Sequence, residues 1–128
     1  MIGLVVVSHS AKAAEGIAEV AAQMGGGNAR IVPAGGDEDG IGTSPDRIRE
    51  GIEEADDGDG VVVLVDLGSA VMNAELAIEM AMDSEAVIAD APVLEGTLNA
   101  AVETTSKKAT LDSVVERAED ARDYRKLN

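Results

Sequence analysis

Cysteine, tryptophan and phenylalanine are all absent from this 128-residue sequence, and a single tyrosine, Tyr124, is its only aromatic residue. The absence of cysteine excludes disulfides, thiol catalysis and zinc–thiolate sites. The apolar N-terminal run is too short to span a membrane and no basic stretch precedes it, so it predicts a strand rather than a signal peptide. We expect one cytoplasmic domain over residues 1–128, with a core large enough to fold without disulfides or metal.

Basic residues are also scarce. Aspartate and glutamate total 25 against 10 lysines and arginines, which gives a net charge of −15, and only four of the basic residues are lysines. Such a field repels nucleic acid and anionic membranes, so neither is an expected partner. The acidic residues are spread along the chain and the apolar residues are mostly small. Because high salt screens the repulsion among carboxylates, this composition predicts a halophilic source.

Apolar runs and helical patterns alternate along the chain. The predicted strands are Ile2–Ser8, Ala29–Pro33, Gly60–Val65 and Ala86–Ala89. The predicted helices are Ala11–Met24, Pro45–Ala55, Ala70–Met82, Gly96–Thr105 and Leu111–Arg122. Ser44 and Ser69 are candidate N-caps, and Gly25–Gly27 ends the first helix. The order predicts an α/β fold, an open and mainly parallel four-stranded sheet with helices on both faces.

His9, the only histidine, follows the first predicted strand. In an open α/β sheet the turns after each strand meet at one edge, which is where such folds bind ligands. The turns 35–44, 66–69 and 90–96 therefore converge on His9, and the first two combine glycine with hydroxyl or acidic residues and lead into helices. Helix N-termini of this kind favour anions. The pattern predicts a site in which the imidazole carries a phosphoryl group.

Asp66 ends the third predicted strand and is a candidate partner for the His9 ring. A carboxylate that accepts from Nδ1 would leave Nε2 to attack phosphorus. The alternatives are an ordinary turn histidine, a capping or turn aspartate at position 66, and Asp66 as a phospho-acceptor. Asp37 and Asp39 with His9 form only a weak metal signal, so neither a metal nor another cofactor is expected. Fingerprints for dinucleotides, Walker loops and serine-hydrolase elbows are missing.

Four segments together resemble a known family: Ser8–Ser10, Gly42–Ser44, the string Asp66–Glu75 and Ala91–Gly96. The sequence is similar to the phosphoryl-donor subunits of phosphotransferase-dependent dihydroxyacetone kinases, which are related to the mannose-type IIA domains of the sugar phosphotransferase system. The resemblance covers nearly the whole chain and implies a mannose-type IIA (EIIA-like) fold and a homodimer.

By that resemblance the protein is a phosphotransferase. It takes a phosphoryl group on His9 from the phosphohistidine carrier HPr and passes it to ADP on the nucleotide-binding, DhaL-like kinase subunit. Asp66 orients His9, and the predicted phosphate-binding residues are Ser10, Thr43, Ser44 and Ser69. Because the chain has a single histidine, it cannot relay phosphate between histidines of its own and needs a separate carrier protein. A IIA component for sugar transport and a regulatory protein that reports phosphorylation state are the alternatives.

Overall fold

Four strands and five α-helices alternate in the computed structural model, which describes residues 1–25 and 27–127. The strands are β1 (Gly3–Ser8), β2 (Arg30–Gly35), β3 (Val61–Val65) and β4 (Ala86–Ile88). The helices are α1 (Ala11–Met24), α2 (Pro45–Ala55), α3 (Val71–Met80), α4 (Val93–Thr104) and α5 (Leu111–Glu119). Short 3₁₀ turns cover Gly68–Ala70 and Asp120–Asp123.

The strands form one parallel sheet in the order β2-β1-β3-β4. Its two central strands are apolar and almost completely buried, because helices cover both faces. On one face α2 and α3 pack against Val5 and Val63, and on the other α4 and α5 pack against Leu4 and Val62. α1 lies beside α4. The predicted fold class is confirmed.

Several predicted boundaries differ from the observed ones by one to three residues. α4 begins at Val93 rather than Gly96, directly after Pro92, which ends the preceding extended segment. The predicted helix over Ala70–Met82 is shorter, and a 3₁₀ turn comes before it. Gly25 ends α1, as predicted, and donates its N–H to the Ala21 carbonyl, whereas Gly26, part of the same prediction, lies outside the described residues.

None of the helices in the described ranges has the length and apolar character needed to cross a bilayer.

A close approach at Gly35 places the first turn of α1 beside the end of β2. A Cβ atom at this position would lie 2.6 Å from the backbone oxygen of Ser10 and 2.8 Å from Cβ of Ala14. Only glycine allows the two backbones to come this near without displacement. Ser10 caps α1 by accepting a hydrogen bond from the Ala13 N–H at 3.2 Å. This packing fixes the start of α1 next to the end of β1, where His9 lies.

Candidate active site

Backbone hydrogen bonds bring two turns to the end of β1. The backbone carbonyl of Ser8 accepts from the Gly36 N–H at 3.1 Å, and that of His9 accepts from the Gly42 N–H at 2.8 Å. On the other side, the Asp66 N–H donates to the Val7 carbonyl at 3.0 Å. β1 lies between β2 and β3, so the loops that follow both neighbours reach it. The predicted convergence on His9 is observed for the turns 35–44 and 66–69, whereas the hydrogen bonds of Asp90 in the turn 90–96 go to Glu119 and Arg122.

Asp66 binds the side chain and the backbone of His9 at once. Its Oδ1 lies 3.0 Å from His9 Nδ1, and its Oδ2 accepts from the His9 N–H and from the Ser8 hydroxyl, each at 3.0 Å. An ionised carboxylate only accepts, so Nδ1 carries the hydrogen and Nε2 keeps its lone pair. The imidazole is therefore held in the tautomer that makes Nε2 the nucleophilic nitrogen.

The electrostatics of Asp66 favour its ionised form. Partial burial raises its pKa, but the hydrogen bonds from the His9 N–H, the His9 ring and the Ser8 hydroxyl together outweigh that effect. The net result is a pKa for Asp66 below the ordinary carboxyl value. The carboxylate is thus charged at neutral pH, next to a ring that gains positive charge if Nε2 forms a bond.

Ser69 faces the free nitrogen. Its Oγ lies 3.1 Å from His9 Nε2, and the lone pair on that nitrogen makes Ser69 the hydrogen-bond donor. The side chains of His9 and Asp66 remain 24% and 20% exposed, so the ring is accessible from solvent. The prediction that Ser69 caps α3 is wrong: the 3₁₀ turn places Ala70 at the cap, and the hydroxyl turns to His9 instead.

The other predicted phosphate-binding residues have partners of their own. Ser10 caps α1, and the Ser44 hydroxyl caps α2 by accepting from the Arg47 N–H at 3.2 Å. The Thr43 hydroxyl accepts from the side-chain amide of Asn73 at 2.7 Å. All three positions lie on the turns that bond to the end of β1, and their contact with phosphate stays a prediction.

Two residues at the site were missed by the sequence reasoning, Ser8 and Asn73. Ser8 is a buried polar residue at the end of an otherwise apolar strand, and that contrast is a signal that could have indicated its role. Its hydroxyl donates to Asp66 and also accepts from the Ser10 N–H at 3.1 Å. Asn73 lies within the Asp66–Glu75 string, but only the fold shows which loop it contacts.

Within residues 1–25 and 27–127 no cluster of three or more histidine, cysteine or acidic side chains is arranged to hold a metal.

Comparison with known proteins adds independent evidence. The family model described as the PTS system fructose IIA component (EIIA-man) matches residues 3–115. The phosphoryl donor subunit DhaM of a PEP-dependent dihydroxyacetone kinase from Klebsiella michiganensis is 37% identical over 134 residues, covering 99% of this chain and 28% of that protein. DhaM of kinase 2 from Listeria innocua is 37% identical over 122 residues, covering 89% of this chain and 97% of that protein.

The chain thus spans little more than a quarter of the Klebsiella relative and almost all of the Listeria one. Among solved structures, EF1359, a protein of unknown function, matches with a TM-score of 0.78 at 32% identity over 94% of both chains. The family-model match covers most of the sequence, and the relatives align along nearly its whole length. The chain therefore belongs to the mannose-type IIA family of the phosphotransferase system, together with the phosphoryl-donor subunits of dihydroxyacetone kinases.

Proposed function

We propose that this protein is a cytoplasmic histidine phosphocarrier. It accepts a phosphoryl group on His9 from phosphorylated HPr and donates it to ADP held by the nucleotide-binding subunit of a dihydroxyacetone kinase. The single observation that carries the proposal is the arrangement of His9 between Asp66 at Nδ1 and Ser69 at Nε2. The names of the relatives from Klebsiella and Listeria, which are dihydroxyacetone kinase donor subunits, support the choice of acceptor.

The first transfer uses the lone pair of His9 Nε2. This nitrogen attacks phosphorus, a new N–P bond forms, and the N–P bond in the donor breaks and returns its electron pair to the donor imidazole. Nδ1 keeps its hydrogen, so the His9 ring becomes cationic, and the Asp66 carboxylate 3.0 Å away stabilises that charge. The Ser69 hydroxyl leaves the nitrogen and donates to a phosphoryl oxygen.

The second transfer reverses the chemistry at His9. A terminal phosphate oxygen of ADP attacks phosphorus, the N–P bond breaks, and the electron pair returns to Nε2, which restores the neutral ring. ATP then forms on the kinase subunit, where it phosphorylates dihydroxyacetone. The N-terminus of α1, which begins two residues after His9, supplies a favourable dipole for the anionic phosphoryl group during both steps.

Assembly and salt belong to the same proposal. The protein acts as a homodimer and works in high salt, where screening reduces repulsion within a chain of net charge −15. Sedimentation velocity measures the oligomeric state, which we expect to be a dimer. Raising KCl from about 0.1 M to about 3 M should raise the melting temperature, since exposed like charges are screened within a few ångströms at the upper value. A melting temperature that falls with KCl would contradict halophily without affecting the phosphocarrier chemistry.

The decisive test is intact-mass analysis after incubation with phosphoenolpyruvate, the general phosphotransferase enzyme and HPr, in high salt and at neutral to alkaline pH. Wild type should gain one phosphate and His9→Ala none, while circular dichroism shows the same helix content for both. Adding the ADP-loaded kinase subunit should then discharge the wild type. A wild-type protein that stays unphosphorylated beside charged HPr would contradict the proposal.

A second candidate function is a IIA component for sugar transport, which the description of the matching family model favours. Its chemistry at His9 is the same and its acceptor differs. If phosphorylated wild type retains its phosphate with the ADP-loaded kinase subunit but loses it to a membrane sugar permease complex, the second candidate replaces the first.

A further inference from the structure

We infer that Asn73 is a positioning residue for phosphoryl transfer, which it serves by orienting the hydroxyl of Thr43 toward the phosphoryl group on His9. The inference rests on the proposed function and adds a residue and a role to it. Asn73 Nδ2 lies 2.7 Å from Thr43 Oγ1 and 3.3 Å from the Thr43 carbonyl oxygen. One amide on α3 therefore binds both oxygens of a residue thirty positions away, in the loop between β2 and α2.

Elementary hydrogen-bond chemistry fixes the direction of these contacts. A carbonyl oxygen only accepts, so the Asn73 atom near it is the amide nitrogen, and this settles the orientation of the amide group. The same amide nitrogen can only donate to Thr43 Oγ1, so that oxygen also accepts a hydrogen bond. The hydroxyl hydrogen of Thr43 is consequently directed away from Asn73 and available to another acceptor.

The position of Thr43 makes phosphate the natural acceptor. Gly42, its preceding neighbour, donates its N–H to the His9 carbonyl at 2.8 Å, so the loop runs against the reactive residue. Asn73 lies in the first turn of α3, four residues after Ser69 in the 3₁₀ turn that leads into this helix. Ser69 contacts His9 Nε2 at 3.1 Å. Thr43 is thus linked to the His9 backbone through its neighbour Gly42, and through Asn73 to the helix that follows Ser69.

The loop needs such an anchor because it is rich in glycine. Gly36, Gly40 and Gly42 all have positive φ angles, of 74°, 108° and 143°. A chain segment of this kind has many accessible conformations and pays a high entropic cost for ordering. The contact from Asn73, on a regular helix, fixes Thr43 before the phosphoryl group arrives. Preorganised donors of this kind stabilise charge without rearranging during the reaction.

The test measures phosphorylation rates of wild type, Asn73→Ala, Thr43→Val and the double variant, by intact mass with phosphoramidate as a small-molecule donor. In this reaction Nε2 attacks phosphorus, and the P–N bond of the donor breaks to release ammonia. Loss of one oriented donor to a charged group predicts a rate about 10- to 100-fold lower for each single variant. The double variant should be no slower than Thr43→Val, because Asn73 acts through Thr43.

Asn99 provides a matched control on α4. Its side-chain amide also donates to a carbonyl and a hydroxyl, those of Arg117 and Tyr124, at 3.0 and 3.1 Å. Asn99→Ala should destabilise the fold to a degree similar to Asn73→Ala and leave the phosphorylation rate unchanged. Melting temperatures of the two variants show whether they are destabilised to a similar degree.

The outcomes separate this inference from the proposed function. If wild type takes no phosphate from phosphoramidate or from HPr, both fail. If wild type is phosphorylated and Asn73→Ala matches its rate, only the assignment of Asn73 fails. Single-variant losses that multiply in the double variant would show two independent roles and would also overturn the assignment.

Discussion

Replacement of Asp66 by asparagine tests the central contact of the site. The carboxylate accepts three hydrogen bonds through two oxygens, from the His9 ring, the His9 N–H and the Ser8 hydroxyl. Asparagine keeps the size of the side chain but offers only one accepting oxygen. Either the ring loses its acceptor, or the His9 N–H and the Ser8 hydroxyl face the amide hydrogens. In both cases the ring in its phosphorylated, cationic form loses a neighbouring negative charge.

The expected loss can be worked from this geometry. A hydrogen bond to a charged partner at normal distance contributes about 1.5–3 kcal/mol. The two side chains are 24% and 20% exposed, so water screens part of the interaction and we take about 2 kcal/mol. This corresponds to a transfer rate about 30-fold lower for Asp66→Asn. Rapid-quench time courses with charged HPr, analysed by intact mass, measure that rate.

Asp90→Asn is the matched control, because the substitution and the charge change are the same. Asp90 follows β4 at the same edge of the sheet and pairs with Arg122 at 3.3 Å, but it is 88% exposed. Its variant should transfer phosphate at the wild-type rate. Equal losses in both variants would show a general effect of net charge, and a wild-type rate for Asp66→Asn would remove this carboxylate from the mechanism.

Four further predictions follow from contacts described above. Ser69→Ala removes the hydroxyl next to Nε2 and should lower the transfer rate about tenfold or more, in the same rapid-quench assay, with little change in melting temperature. Ser10→Ala removes the cap of α1 and Gly35→Ala forces a methyl group against its first turn. They should lower the free energy of unfolding in urea by about 1 and about 1–3 kcal/mol respectively; unchanged midpoints would contradict this. Because the pKa of Asp66 is lowered on folding, its stabilising effect is complete above the ordinary carboxyl value of about 4 and is lost as pH falls through the lowered pKa. Urea titrations from neutral to acidic pH should therefore show a smaller loss for Asp66→Asn than for wild type.

The fold could be predicted because its local signals agree with one another. The buried strands are runs of valine, and Ser44 followed by Pro45 begins α2 as predicted. The sequence does not reveal the start of α4, because Gly96 has the pattern of a helix boundary. In the structure it is a packing residue inside the helix, where a Cβ atom would lie 2.8 Å from Cβ of Ala91. A glycine at a helix boundary and one that permits close packing inside a helix are identical in sequence.

The site could be predicted only as far as topology determines it. His9 and Asp66 follow neighbouring parallel strands, so their proximity follows from the order of the strands. The sequence predicts a cap at Ser69, because a serine before an apolar helix has the same pattern whether it caps or turns toward a neighbour. The contact between Thr43 and Asn73 depends on the path of a glycine-rich loop, which hydrophobic periodicity does not specify.

The contacts of Asp66 also bear on how the two states of the protein differ. Both carboxylate oxygens are engaged, one by the ring and the other by the backbone and the neighbouring serine of the same strand end. The imidazole is therefore already aligned before phosphorus arrives, and little structural reorganisation is required on gaining or losing the group. The shape of the protein would then hardly differ between the form with a phosphoryl group on His9 and the form without one. Under the proposed function, a partner would distinguish the loaded from the empty form by the negatively charged phosphoryl oxygens on His9, which suits a relay better than a conformational switch.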